Sequence, residues 1–229
     1  MRNRTSTVIK MHLKDRMSWF FIPWVFVLSF AFAVNYTISF FLDEDLYTGG
    51  LASIIIYTNV VGFMTLHQTF PFALGYSIRR TDYFLGTAAT VAGFSAISAL
   101  LLTLLSVIES RWIVNWGTGL HFFHLPYLSD GTVLQRFFIF FIVLLHMYFL
   151  GFVLSSVHRR FRMSGILAVF IAFLLLSSIF SFVMLKYNLW IDLWNWLAGH
   201  TAFQLSLWLV PLVVLYAALS YWLLRRSAA

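Results

Sequence analysis

The charged residues best placed to engage another molecule lie in a short segment between two long apolar runs. This segment is FALGYSIRRTDYFLGT (Phe72–Thr87). In a helix, Leu74 and Ile78 would share one face, while Arg79 and Asp82 would share another. A short amphipathic helix of this kind fits a groove on a soluble partner. A plain turn that anchors two membrane helices would need only the arginines.

Several other chemistries are excluded or disfavoured. The chain has no cysteine, which removes disulfides, zinc–thiolate sites and cysteine nucleophiles. It has no H-E-x-x-H pattern, and no glycine is followed by lysine as a nucleotide-binding P-loop requires. His121 and His124 have the spacing of a zinc pair, but Asp130 is the only acid within ten residues, so incidental loop histidines are the simpler interpretation. Any ATP hydrolysis must come from a separate chain.

The elements that position these residues are predicted to be transmembrane helices. The chain has 229 residues, of which 61% are hydrophobic and 10% charged, against about a quarter charged in a soluble domain. Six apolar runs can each cross a bilayer, which takes about 20 helical residues. They are Ser18–Leu42, Leu51–Leu74, Tyr83–Ile108, Val133–Val157, Ser164–Lys186 and Phe203–Leu224. Runs this long favour helices over barrel strands, so we predict an all-α polytopic membrane protein that forms one transmembrane domain over residues 1–229.

The distribution of charge predicts how this domain is oriented. Twelve of the fifteen lysines and arginines lie in the N-terminal segment, the second and fourth connections and the C-terminus: Arg2, Arg4, Lys10, Lys14, Arg16, Arg79, Arg80, Arg159, Arg160, Arg162, Arg225 and Arg226. The positive-inside rule places this set, and both termini, in the cytoplasm. The chain is therefore predicted to be a multi-pass protein of the cell membrane. The net charge of +7 is then mostly an orientation signal, and nucleic acid is not an expected partner.

Two flanking segments are predicted to lie at the membrane surface. Residues 1–17 place Val8, Met11 and His12 on one helical face among basic residues, which indicates an interfacial helix on the inner leaflet. The alternative is a disordered basic tail. Residues 188–202, NLWIDLWNWLAGHTA, contain three tryptophans and are too short to span. The tryptophans indicate an aromatic belt at the membrane interface. The whole segment also resembles the re-entrant outer helices that precede the last span in ABC-2-type permeases, which implies an outer cap instead.

Polar residues inside the runs are few. Away from their ends, the six runs contain no Asp, Glu, Lys or Arg, which disfavours an ion-driven pump. The remaining polar residues, apart from scattered serines and threonines, are Asn35, Asn59, His67, Gln68 and His146. Each could form a hydrogen bond between helices, or the group could line a weakly polar pathway for an amphipathic substrate.

Two loops resemble those of ABC-2-type permeases, especially small six-helix members from Gram-positive bacteria. TFPFALGYSIRRTDYFLGT (Thr69–Thr87) resembles their first cytoplasmic loop, and SSVHRRFRMSGIL (Ser155–Leu167) resembles their basic connection between spans four and five. The second loop departs from the pattern at Arg162, Met163 and Ser164, where a glycine is expected after the Arg-Phe pair.

The resemblance implies an exporter subunit in a bacterial plasma membrane. It pairs with a second permease chain and two cytosolic ATPase chains, which bind the ATP and Mg²⁺; this chain binds no cofactor. Residues 75–82 become a coupling helix that docks on the ATPase. The implied coupling residues are Gly75, Ile78, Arg79, Arg80, Asp82, Tyr83, Arg159 and Arg160. The implied pathway residues are Tyr57, Asn59, Phe63, Met64 and His67, which would suit a hydrophobic drug, an antimicrobial peptide or a lipid.

One other function fits the same features. A membrane sensor or immunity protein that binds a peptide antibiotic without transport would share everything except the contact with an ATPase.

Overall fold

The computed structural model describes residues 4–125, 127–129 and 131–225, without the side chains of Val114 and Asn115. Arg2 and Arg226, used above for orientation, and Asp130 lie outside these residues. The chain is built mainly of α-helices, which confirms the all-α class. The helices are α1 (Arg4–Lys14), a π-helical segment (Met17–Leu28) that continues into α2 (Ser29–Ser39), α3 (Ala52–Gly75), α4 (Arg80–Arg111), a 3₁₀ helix (Val114–Gly117), α5 (Val133–Lys186), α6 (Trp190–Ala198), α7 (Ala202–Leu207) and α8 (Leu209–Arg225).

Within the described residues, four helical stretches are long and apolar enough to cross a membrane. They are Arg4–Ser39, Arg80–Arg111, Val133–Lys186 and Ala202–Arg225. The predicted run Leu51–Leu74 does form a helix, α3, but its polar residues keep it out of this set. The fourth and fifth predicted runs lie in the single helix α5, which has 54 residues.

The first half of α5 is the centre of the bundle. Two glycines bring its backbone against α3: a Cβ on Gly62 would meet the carbonyl oxygen of Tyr148, and a Cβ on Gly151 would meet that of Asn59. Small residues at such crossings let membrane helices approach closely. The other side of this half lies against α7 and α8, with Phe138 contacting Phe203 at 5.4 Å between ring centroids.

Chain geometry requires α5 to fold back on itself at Arg162. This residue has non-helical dihedral angles, φ 56° and ψ −150°. A straight α-helix from Phe138 to Lys186 would run about 70 Å. The connection from Lys186 to Phe203, with the nine-residue α6 inside it, reaches about 40 Å at most. Since Phe203 contacts Phe138, only a sharp reversal at Arg162 closes this path. The second half, 163–186, is largely exposed.

The bundle has two chemically different ends. The basic end is formed by the α3–α4 connection, the middle of α5 and the end of α8, with Arg79, Arg80, Arg159, Arg160 and Arg225. The acidic end carries Asp43, Glu44, Asp45 and Glu109. There, the parallel strands β1 (Leu46–Tyr47) and β2 (Leu120–His121) join the loop that follows α2 to the loop that follows α4. Each end has its own buried apolar cluster, and the two meet at Phe141 of α5.

The flanking segments are helical but shorter than predicted. Within residues 1–17 the structure describes the helix α1, Arg4–Lys14, which passes over α4 at Gly86. Its location at the membrane interface stays a prediction. Asp15 separates it from the next helix, because its Oδ1 accepts hydrogen bonds from the Ser18 backbone N–H (3.3 Å) and hydroxyl (3.1 Å). The outer segment predicted over 188–202 contains α6, whose residues are mostly exposed. Its placement as a belt or a cap stays a prediction.

Candidate functional site

The α3–α4 connection, where a coupling helix was predicted over residues 75–82, is not a separate helix. Helix α3 ends at Gly75 and α4 begins at Arg80. Ser77 takes a left-handed conformation, φ 55°. The Ser77 N–H then donates to the Leu74 carbonyl (2.9 Å) and the Ile78 N–H to the Ala73 carbonyl (3.2 Å). This pair of bonds is a Schellman motif, which ends α3 abruptly and leaves only four residues before α4.

The residues after this turn begin α4. Arg79 is extended (φ −66°, ψ 146°) and occupies the position that precedes the helix, where its side chain makes no capping hydrogen bond. Asp82 lies in the first turn of α4. A carboxylate there is stabilised by the positive end of the helix dipole. Asp82 therefore has a local reason to be acidic, apart from any partner.

Two of the predicted coupling residues are buried. Ile78 is 8% exposed and packs under the turn, as the apolar residue after a Schellman motif commonly does. Tyr83 is fully buried, and its hydroxyl lies 2.7 Å from the Thr69 hydroxyl of α3. Neither side chain can touch a partner in this conformation. Both instead join the turn to the bundle.

The two adjacent arginines in the middle of α5 contact aromatic rings of neighbouring helices. The Arg159 guanidinium lies 4.5 Å from the ring centroid of Phe70, which meets the Tyr83 ring edge-to-face at 4.9 Å. Arg160 lies 4.8 Å from the ring centroid of Trp222 in α8. Each cation–π contact contributes about 0.5–2 kcal/mol. These two arginines therefore hold the ends of α3 and α8 against the middle of α5.

The two arginines of the turn differ. Arg80 is half-buried, and its Nη1 donates to the Arg225 carbonyl oxygen at the end of α8 (3.1 Å). Arg79 is exposed, and its side chain has no hydrogen-bond or ion-pair partner among the residues that the structure describes. Gly75, also exposed, has open space where a Cβ would lie. The surface that the predicted coupling set leaves for a partner is thus centred on Arg79.

The predicted pathway residues of α3 do not share one surface. Tyr57 donates from its hydroxyl to the Ser18 carbonyl (3.0 Å), and Asn59 donates from Nδ2 to the Met147 carbonyl of α5 (2.9 Å). Asn59 therefore matches the alternative of a hydrogen bond between helices. Tyr57 also lines a cavity of about 40 Å³ between α3, α4 and the π-helical segment, a size suited to water only.

The other three pathway residues lie further along α3. Met64 is 44% exposed, and His67 is exposed. The His67 Nε2 lies 3.1 Å from Nδ1 of His158, and the Phe63 ring lies against both imidazoles. The sequence analysis did not single out His158. Its only signal was its position beside the basic loop, ninety-one residues after His67.

Glu109 is the residue of the acidic end that sequence reasoning missed. Its carboxylate is 2% exposed and accepts four hydrogen bonds of 2.9 Å. The donors are the indole N–H of Trp116 and the backbone N–H groups of Phe122, Phe123 and His124. Such a carboxylate shapes the loop around itself. The described residues contain no group of three His or acidic side chains able to hold a metal.

Comparison with protein-family models, with curated proteins and with solved structures found no match to this chain. The assignment of function therefore depends on the geometry above and on the loop resemblance.

Proposed function

We propose that this chain is the membrane-spanning subunit of an ATP-driven exporter of the ABC-2 permease type. It has six spans, and the basic end and both termini face the cytoplasm of a bacterial cell. A separate ATPase, present in two copies with its own ATP and Mg²⁺, docks on the basic end. A second permease chain, the same or related, completes the complex. The cargo is a hydrophobic or amphipathic molecule.

The six-span topology is supported by helix lengths. Helix α3 has 24 residues, which rise about 36 Å and exceed the hydrocarbon thickness. The reversal at Arg162 divides α5 into 133–161 and 163–186, each long enough to cross. The π-helical segment with α2, α4, and α7 with α8 supply the other three. An even number of spans puts both termini on one side, and the basic residues favour the inside.

The observation that carries the proposal is the exposed, unpaired Arg79 on a turn that cannot flex independently. The Schellman motif joins the turn to α3, and Tyr83 joins the start of α4 to α3 through Thr69. A partner that pushes on Arg79 would therefore move α3 and α4 together. That is what an ATPase must do to a subunit with no nucleotide site of its own.

The cargo assignment is supported by the composition of α3. Met64 and His67 are exposed on α3, with Phe63 beside His67. Methionine and aromatic side chains make an adaptable apolar surface. Such a surface suits an amphipathic cargo better than a sugar or an ion.

The experiment is co-expression with a Walker-type ATPase, taken from a neighbouring gene if one encodes it, followed by co-purification and an ATPase assay. Arg79→Gln should reduce permease-stimulated ATP hydrolysis at least fivefold. Arg111→Gln is the matched control, because Arg111 is also exposed and lies at the opposite end of the same helix. Equal activity in the two variants would contradict the coupling role. A folded chain that binds no ATPase but binds a peptide antibiotic would instead identify the sensor function.

A further inference from the structure

A cleft of about 760 Å³ lies between α1 and the last turns of α3. Its volume falls in the range of small-molecule sites. One wall is the face of α1 that carries Lys10 and Lys14, and the other is the end of α3 with Gln68, Phe72 and Tyr76. The cleft combines cations, hydrogen-bonding groups and aromatic rings, which is the composition that an anionic amphiphile needs.

Helix α1 is held so that its lysines face the cleft. Its opposite face is anchored on α4, where Val8 is fully buried against Gly86 and the His12 Nε2 lies 3.0 Å from the Thr87 hydroxyl. Lys10 and Lys14 are one helical turn apart, and both are exposed. Neither side chain has a hydrogen-bond or ion-pair partner in the described part of the chain.

The charge around the cleft is positive. Asp15 is the one acid among its lining residues, and its Oδ1 is engaged by the backbone and hydroxyl of Ser18. Arg4 extends from the start of α1 to the turn, where its Nη1 lies 3.4 Å from the Ser77 carbonyl. The lysines therefore have a surplus of charge to offer a bound anion.

The α3 wall of the cleft carries two exposed aromatic rings. Phe72 is 55% exposed and Tyr76 is 69% exposed, with 4.8 Å between their ring centroids. Large apolar side chains exposed beside lysines are typical of the boundary between acyl chains and headgroups, where basic side chains reach the phosphates. Thr7 and Gln68, which also line the cleft, add a hydroxyl and an amide donor.

We propose that this cleft binds an anionic phospholipid of the leaflet at the basic end. The phosphate lies between Lys10 and Lys14, Gln68 donates to a phosphate or ester oxygen, and the upper acyl chain lies along Phe72 and Tyr76. The lipid fills the space that α1 leaves beside α3. Its binding does not require the ATPase, so it holds or fails independently of the proposed transport function.

The test is native mass spectrometry of the full-length chain titrated with phosphatidylglycerol or phosphatidylcholine of the same acyl length. We expect one phosphatidylglycerol bound at least tenfold more tightly than phosphatidylcholine. Each lysine near the lipid surface accounts for about a fivefold change in affinity. Lys10→Gln with Lys14→Gln should therefore weaken phosphatidylglycerol binding about 25-fold.

Two further variants separate the cleft from the general charge of the chain. Arg16→Gln with Lys186→Gln removes the same charge from positions that do not line the cleft, and should leave the affinity within twofold. Thr7→Trp inserts bulk at the cleft without changing charge, and should abolish the tight site.

Three results would overturn the proposal: equal affinity for the two lipids, equal loss in the two double variants, or tight binding retained by Thr7→Trp. Inorganic phosphate and free oleate are added as competitors. Displacement by phosphate at the lipid's own concentration would assign the site to a soluble anion instead, and displacement by oleate alone would assign it to a fatty acid. Either would also overturn the phospholipid assignment.

Discussion

The two ends of the bundle treat charge in opposite ways. At the acidic end, the Glu109 carboxylate is buried and fully satisfied by four N–H donors of its own chain. At the basic end, Arg79, Lys10 and Lys14 are exposed and unpaired within the described residues. Of the arginines that are engaged there, Arg159 and Arg160 lie over aromatic rings, and Arg80 donates to a backbone carbonyl.

The contrast distinguishes a charge that stabilises the fold, at Glu109, from charges that are free to contact another molecule, at Arg79, Lys10 and Lys14. A buried carboxylate that accepts four hydrogen bonds stabilises the loop around it. Losing the carboxylate would leave several desolvated N–H groups without an acceptor, which is costly. An exposed arginine or lysine contributes little to stability. Glu109 therefore holds the loops of the acidic end in place, whereas the unpaired cations of the basic end stay available to a partner, as the proposals above require.

The largest expected effect is at the acidic end. Glu109→Gln keeps the shape of the side chain but replaces one acceptor oxygen by an N–H donor, which then faces backbone N–H groups. We expect a loss of about 2–4 kcal/mol in the free energy of unfolding. Thermal unfolding in detergent measures it, with faster proteolysis between residues 112 and 131 as a local readout. Glu44→Gln, exposed at the same end, should be neutral. Equal stability of the two variants would break the comparison between the ends.

An intermediate effect is expected where α1 passes over α4. A Cβ on Gly86 would lie 2.6 Å from the Val8 Cβ, so Gly86→Ala forces the helices apart. The expected cost is about 1–3 kcal/mol, with faster hydrogen exchange confined to α1. Gly93→Ala on the same helix has nothing within 4 Å of the new methyl group and should be neutral or stabilising. Unchanged exchange in α1 would show that this contact does not hold it.

The smallest effect on stability is expected at the hydroxyl that joins α3 and α4. Tyr83→Phe removes its hydrogen bond to Thr69 and should cost about 1 kcal/mol or less. In complex with the ATPase, the same variant should lower stimulated ATP hydrolysis while the complex still co-purifies. Tyr76→Phe, whose ring is exposed on the neighbouring turn, is the control. Full stimulation by Tyr83→Phe would mean that the turn transmits motion by another route.

The helices were predictable, since long apolar runs leave the backbone little choice in lipid. The α3–α4 turn was not, because the helix ends through a left-handed Ser77, while the obvious candidate, Gly75, stays helical. Left-handed serine is uncommon, so the sequence favoured a continuous short helix there. The burial of Tyr83 was missed for the same reason, because the position of Tyr83 depends on where α3 ends and α4 begins.

Glu109 was missed for a different reason. Three of its four donors are backbone N–H groups of residues 122–124, and a sequence does not show which backbone groups are left unpaired. The pairing of His67 with His158 likewise depends on how α3 packs against α5. Long-range contacts of this kind are set by tertiary packing and carry no local pattern.

The most direct test of the central claim uses the absence of cysteine from this chain. Arg79→Cys and Glu44→Cys each place one thiol on an exposed site, at the basic and acidic ends respectively. A membrane-impermeant maleimide is applied to intact and to permeabilised cells, with and without the ATPase. The predicted result is that Glu44→Cys reacts in intact cells, whereas Arg79→Cys reacts only after permeabilisation and is protected by the ATPase. Labelling of Arg79→Cys from outside, or no protection by the ATPase, would contradict the account.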